Sequence, residues 1–270
     1  MSKVVSSIYK FSLFFLVSSS WMSGFIFALF IFGMYLMPHA LGGLELWNRN
    51  YLILYTPDKP VAMSGMLTHV FFGALLLIMG PIQFFDKIRT NFKNFHRWVG
   101  LFYTLASFMV GFGGIVYLTI MGSVGGPIMT VAFFIGGILV MICAIQTIRY
   151  ALLGKYLVHR QWATRLFAIM LASWMYRIEY AFIKIGLHDW GTNPDHSGPL
   201  DNFMSFAFYI GPLIAAEIVI RAKDIHHTLF WKALGSLVCV LTGAWVCFAT
   251  FALVMAEWGA PIQNLIHYIF

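Results

Sequence analysis

Between Trp98 and Ile148 the chain runs for 51 residues without one Asp, Glu, Lys or Arg. A membrane-spanning helix takes about 20 mostly apolar residues, so the stretch is too long for one crossing and far too apolar for a water-facing surface. Gly122-Ser123-Val124-Gly125-Gly126-Pro127 divides it, because Gly and Pro clusters mark turns. In hydrocarbon every backbone polar group must be paired internally, and that confines such segments to helices or closed barrels. Apolar runs of this length select helices.

The same reading applied to the whole chain predicts an all-α membrane protein with seven transmembrane helices in one transmembrane domain, residues 1–270. The spans fall at about 11–37, 61–85, 98–121, 128–148, 163–187, 203–220 and 233–256. The first is longer than the roughly 7–15-residue apolar core of a signal peptide and lacks an A-x-A site, so it reads as a retained anchor. Composition agrees: 60% of residues are hydrophobic and 10% charged, against about 25% charged in a soluble domain.

Lys and Arg placement sets the orientation. Thirteen of the seventeen basic residues fall on one side if the N-terminus is cytoplasmic and the C-terminus outside. That side carries Lys87, Arg89, Lys93 and Arg97, then Arg149, Lys155, Arg160 and Arg165, then Arg221, Lys223 and Lys232. The opposite side has only Arg49 and Lys59. A multi-pass protein of the cytoplasmic (inner) membrane follows, with the lipid bilayer as its first partner. The outer segment from His39 to Pro60, with Trp47, Tyr51 and Tyr55, is expected to lie along the membrane surface, where Trp and Tyr are enriched.

Several function classes drop out. The basic residues are dispersed between apolar runs, so nucleic acid is not a partner. Cys143, Cys239 and Cys247 lack metal or redox spacing and read as small packing residues. No G-x-S-x-G, H-E-x-x-H or Gly-rich phosphate loop occurs, and no catalytic set is assigned. His188-Asp189 through Asp195-His196 holds metal-type ligands without metal-site spacing and reads as a solvated loop. His226-His227 reads the same way.

Three motifs border the basic side. They are His69-x3-Gly73-x6-Gly80-Pro81-Ile82-Gln83-Phe84, His96-Arg97-Trp98-Val99-Gly100-x2-Tyr103, and His159-Arg160-Gln161-Trp162-x2-Arg165 with Arg177 beyond it. In this order and spacing the chain resembles, over about residues 61–220, the bacterial membrane family called domain of unknown function 2306. Leu101 stands where that pattern usually has Arg, and Ala163 where it usually has Met. The resemblance implies a multi-helix membrane bundle and does not imply an activity. Helical spacing puts Gly65, His69, Gly73, Leu76, Gly80 and Gln83 on one face of the second span. It puts His96, Gly100, Tyr103, Ser107, Gly111 and Gly114 on one face of the third. Such small-residue stripes allow close helix contact, and these two are expected to meet.

Ionisable residues inside a membrane cost about 2.5–3.5 kcal/mol each on insertion scales and are functional candidates. At about 1.5 Å rise per residue they sort into two layers. The outer layer contains His69, Arg177 and Glu179. The inner layer contains Gln83, His96, Gln146, His159, Arg165 and Glu217. Glu217 is expected to pair with Arg165, His159, His96 or Gln146 rather than with Arg177, which lies roughly 12 Å deeper. Glu179, about 200° round the helix from Arg177, is expected to meet His69 or another polar group of the outer layer. Lys184 is near enough to the outer end to snorkel.

Three functions remain open. A polar-cored bundle could handle a small hydrophobic or anionic ligand, a quinone, a lipid or a proton. A haem b electron-transfer protein would draw its ligands from His69, His96 and His159; only His96 and His159 share a depth. An accessory subunit would satisfy its intramembrane charges against a partner membrane subunit.

Overall fold

The computed structural model describes residues 2–48, 54–223 and 229–269, and among them every regular element is helical. Seven helices are long and apolar enough to cross a membrane. We label them α1 (Ser2–Ile31), α2 (Pro60–Met79), α3 (Lys93–Met121), α4 (Gly126–Leu152), α5 (Tyr156–Gly186), α6 (Pro199–Lys223) and α7 (Leu229–Leu253). α1 runs on through a π turn at Phe32–Leu36, and α7 through another at Val254–Trp258 into a last helix, Gly259–Ile269.

The ends follow local chemistry. Pro lies in the first turn of α2 and α4, where its missing N–H costs nothing. Gly122 at φ +70° and Gly154 at φ +68° follow α3 and α4, supplying the left-handed backbone that terminates a helix. α3 and α5 start several residues before their apolar windows, because helical hydrogen bonding does not stop where hydrocarbon does. This brings His96 and His159 into first turns.

Six helices surround the fifth. α1, α2, α3, α4, α6 and α7 each pack on the next, α7 closes on α1, and α5 stands inside against α4, α6 and α7 with lighter contact to α1 and α2. Two apolar clusters fill the bundle. One joins Phe27, Phe30 and Tyr35 of the first crossing to Trp174 and Ile178 of α5 and to Trp258. The other joins Leu76, Tyr103, Ala106 and Val110 to Leu166, Ile169 and Met170.

Two expectations fail here. Trp47 is 2% exposed and donates Nε1–H to the Tyr35 carbonyl at 2.9 Å, so it is a core residue and not an interfacial anchor. An indole with a carbonyl in reach gains more from burial than from the headgroup layer. Cys143 and Cys239 are buried, but Cys247 is exposed on the lipid side of α7 and packs nothing. Residues 49–53 of the outer segment, His226-His227 and the Lys184 side chain lie outside what is described.

Candidate functional site

α5 carries the chemistry because it is the interior helix. Along it lie Arg165 near the basic end, then an apolar layer, then Ser173 and Arg177 toward the far end. Leu166, Ile169 and Met170 make that layer with Leu76, Tyr103 and Ala106. It divides the polar interior in two.

Above the apolar layer, Ser173 and Arg177 share one face of α5 at i,i+4 and both are exposed, although the helix is central. Across from them on α2, nothing lies within 4 Å of where a Gly73 side chain would begin. His69, one turn along that face, is half-buried and within electrostatic range of Arg177. The open space at Gly73 and the exposed Ser173 and Arg177 leave a gap beside the cluster in which Ala74 and Leu77 of α2 pack with Trp174 and Ile178 of α5. The His69 Nδ1–H donates to the Val110 carbonyl at 3.0 Å, which fixes the tautomer and leaves Nε2 as an acceptor. The Arg177 guanidinium lies over the Phe27 ring, 5.2 Å from its centroid. Among the described residues it makes no hydrogen bond and no ion pair. The Phe27 ring in turn meets Trp258 at 4.9 Å.

Glu179 does not join them. It has no hydrogen bond to His69, and its Oε2 is buried without a partner. Depth arithmetic gives height along α5 but not direction around it, and two residues turn the helix by about 200°. The outer layer is thus a His69–Arg177 gap with Glu179 on the other side of the helix.

Below the apolar layer, Glu217 accepts from Arg165 Nε at 2.5 Å and faces Arg221 Nη1 at 3.4 Å. It makes no contact with Arg177. Of the other expected partners, His159 donates Nδ1–H to the Thr147 carbonyl at 2.9 Å and Gln146 accepts from Arg149 at 3.5 Å. Each is held by α4 before it can reach α6. Gln83 lies against Gly100, its Oε1 3.2 Å from where a side chain there would begin. The Nε2 of Gln83 and the Nδ1 of His96 are buried without partners.

The two glycine stripes meet as expected, Gly80 with Tyr103, Gly100 with Gln83 and Gly114 with His69, while Gly111 and Gly73 depart from the pattern. Side chains at Gly65 and Gly113 would each begin under 3 Å from the other's carbonyl oxygen, at 2.8 and 2.6 Å, and Gly114 faces the His69 ring. Gly111 instead faces α4, 2.9 Å from the Gly137 oxygen, Gly80 meets Phe167 and Tyr103, and Gly73 faces the gap. Spacing marks small residues but not which neighbour each one admits.

One buried carboxylate escaped the sequence reading. Asp201 is 0% exposed and accepts from the Tyr180 hydroxyl at 2.5 Å and from the backbone N–H groups of Asn193 and Gly198 at 2.9 Å each. His196 Nδ1 stands 3.8 Å away. Gly198-Pro199-Leu200-Asp201 is a helix-start signature, with Pro at the first position and an acid at the third reaching back to the cap. The site belongs to the loop over 187–198. Among the described residues no group of three metal-type ligands forms there or elsewhere.

For haem b, an axial pair needs two histidines facing each other at one depth. His69 has no second histidine across the gap, and its only described hydrogen-bond partner is a backbone carbonyl. The arrangement does not fit haem held at His69. His96 and His159, at equal height, sit in first turns at the bundle's basic end.

Fold and site together define a multi-pass helical membrane protein with a divided polar interior. Residues 66–196 match the family model described as predicted membrane protein, domain of unknown function 2306, a stretch that contains both sides of the gap. No curated protein and no solved structure matches the chain.

Proposed function

We propose that this protein binds a small ligand in the gap between α2 and α5, with Arg177 as the recognising group. One observation supports this above the others: a permanently charged guanidinium stands in the middle of a central helix with no protein counter-ion among the described residues. Such a charge is costly in hydrocarbon, and it is retained where water or a ligand solvates it. The exposure of Ser173 beside it and the empty space at Gly73 are what an aqueous crevice requires. The apolar layer at Tyr103 and Met170 closes the gap toward the basic end. The positive-inside rule puts that end in the cytoplasm, so the gap would open outward from the inner membrane.

Thiol accessibility tests the reading. In a background with Cys143, Cys239 and Cys247 replaced by Ala, Ser173→Cys should react with a charged, membrane-impermeant methanethiosulfonate. Ser107→Cys, at a position 0% exposed within the seal, should not. Equal protection at both positions would remove the crevice and with it the proposal.

A further inference from the structure

Several hydrogen-bond donors in the interior of this half-bundle have no partner among the described residues. Four indoles can be compared. Trp21 donates Nε1–H to the Ile78 carbonyl and Trp47 to the Tyr35 carbonyl, each at 2.9 Å. Trp174 and Trp258 are both 0% exposed, and neither Nε1–H has a partner. A buried N–H left unpaired is costly, and the two that bear this cost sit in one aromatic cluster with Phe27. Arg177, one turn from Trp174 on α5, lies on the Phe27 ring, and Trp258 packs against that same ring. Phe27 thus carries an unpaired cation on its ring and packs against Trp258, whose N–H is likewise without a partner. The carboxylate of this helix that is also unpaired, Glu179, projects about 200° away and does not complement them.

Resting on the ligand-gap reading above, we infer that the ligand is an oxyanion, a carboxylate or a phosphate ester, attached to an aromatic or apolar body. The charged oxygens would meet the Arg177 fork, the one of these donors that is exposed. The apolar body would lie in the space left open at Gly73. A neutral ligand would leave the guanidinium unmatched, and a cation would be repelled by it.

The experiment is equilibrium dialysis of purified protein in a non-ionic detergent against radiolabelled benzoate, phenyl phosphate and benzyl alcohol. Saturable binding of either anion, with benzyl alcohol weaker by about tenfold or more, supports the inference. Preference for benzoate assigns a carboxylate ligand, and preference for phenyl phosphate assigns a phosphate ester. Arg177→Gln should weaken the anion by about 10- to 100-fold. Arg177→Lys, which keeps the charge but not the planar fork, should fall between and guards against a Gln variant that fails to fold. Asp86→Asn, at an exposed position beyond the apolar layer, should bind as the parent does. Benzyl alcohol binding as well as benzoate, unaffected by Arg177→Gln, would overturn the oxyanion and leave the gap standing. No saturable binding while Ser173→Cys still reacts with the charged reagent overturns the oxyanion alone. No binding with an unreactive Ser173→Cys takes the gap reading down as well.

Discussion

Arg165 on α5 and Glu217 on α6 are joined at 2.5 Å, with side chains 22% and 33% exposed. The pair ties the central helix to the outer ring just inside the basic end, and Arg221 one turn further along α6 faces the other carboxylate oxygen. Removing Glu217 leaves the partly buried Arg165 without its counter-ion, and removing Arg165 leaves Glu217 with Arg221 only. Glu217→Ala or Arg165→Ala should each lower stability in detergent by roughly 1–3 kcal/mol, less than for a fully buried pair because water screens it. Arg165→Leu with Glu217→Leu should cost less than the sum of the singles in thermal unfolding. Strict additivity would mean that the contact is not coupled.

Gly113 and Gly73 predict opposite outcomes. Gly113→Ala puts a methyl group 2.6 Å from the Gly65 oxygen and should separate α2 from α3 at a cost of roughly 1–3 kcal/mol. Gly73→Ala meets open space and should be neutral or up to about 1 kcal/mol stabilising, since Ala is the better helix former. Melting temperatures of the two variants decide it. A Gly73→Ala protein as damaged as Gly113→Ala would show that the gap is closed.

Asp201 is expected to hold the 187–198 loop. Asp201→Ala strands the Tyr180 hydroxyl and two backbone N–H groups and should cost about 2 kcal/mol or more. Limited proteolysis should then cut this loop first. Asp195 in the same loop is held below the usual carboxylate range by the Ser197 hydroxyl and amide. Its contribution is therefore present above the ordinary carboxylate pKa and fades only as pH falls through the lowered value. Cleavage at neutral pH should not change between Asp195→Asn and the parent by as much as it does for Asp201→Ala.

Reporter fusions test the orientation that Lys and Arg placement implies. Fusions after residues 90 and 155 should report cytoplasm, and one after residue 195 the outer face. The reverse pattern would turn the gap inward.

The spans were legible because charge-free runs and hydrocarbon thickness leave little choice. The height of Glu217 was legible for a similar reason, since rise per residue is fixed. Direction around a helix was not. His69 and Arg177 share a gap while Glu179 does not, because azimuth depends on how α5 is rotated against its neighbours, and no single sequence periodicity sets that inside a ring of six. Gly73 and Gly111 failed together for this reason. Asp201 is a different case: its capping pattern was present in the sequence but was overshadowed by the search for charges deep within spans.

α5 differs from its neighbours in composition as well as place. Over its 31 residues it contains no proline, and its sole glycine is the terminal Gly186. α1 and α7 run into π turns, α2 gives way at Gly80-Pro81, and α6 contains Pro212. Kinks and hinges gather at such features, so the outer ring can flex where its centre cannot. Arg165 and Arg177 lie twelve residues apart on that stiff centre, about 18 Å. The stiff centre therefore holds these two guanidinium-bearing positions at a fixed separation while the ring bends around them.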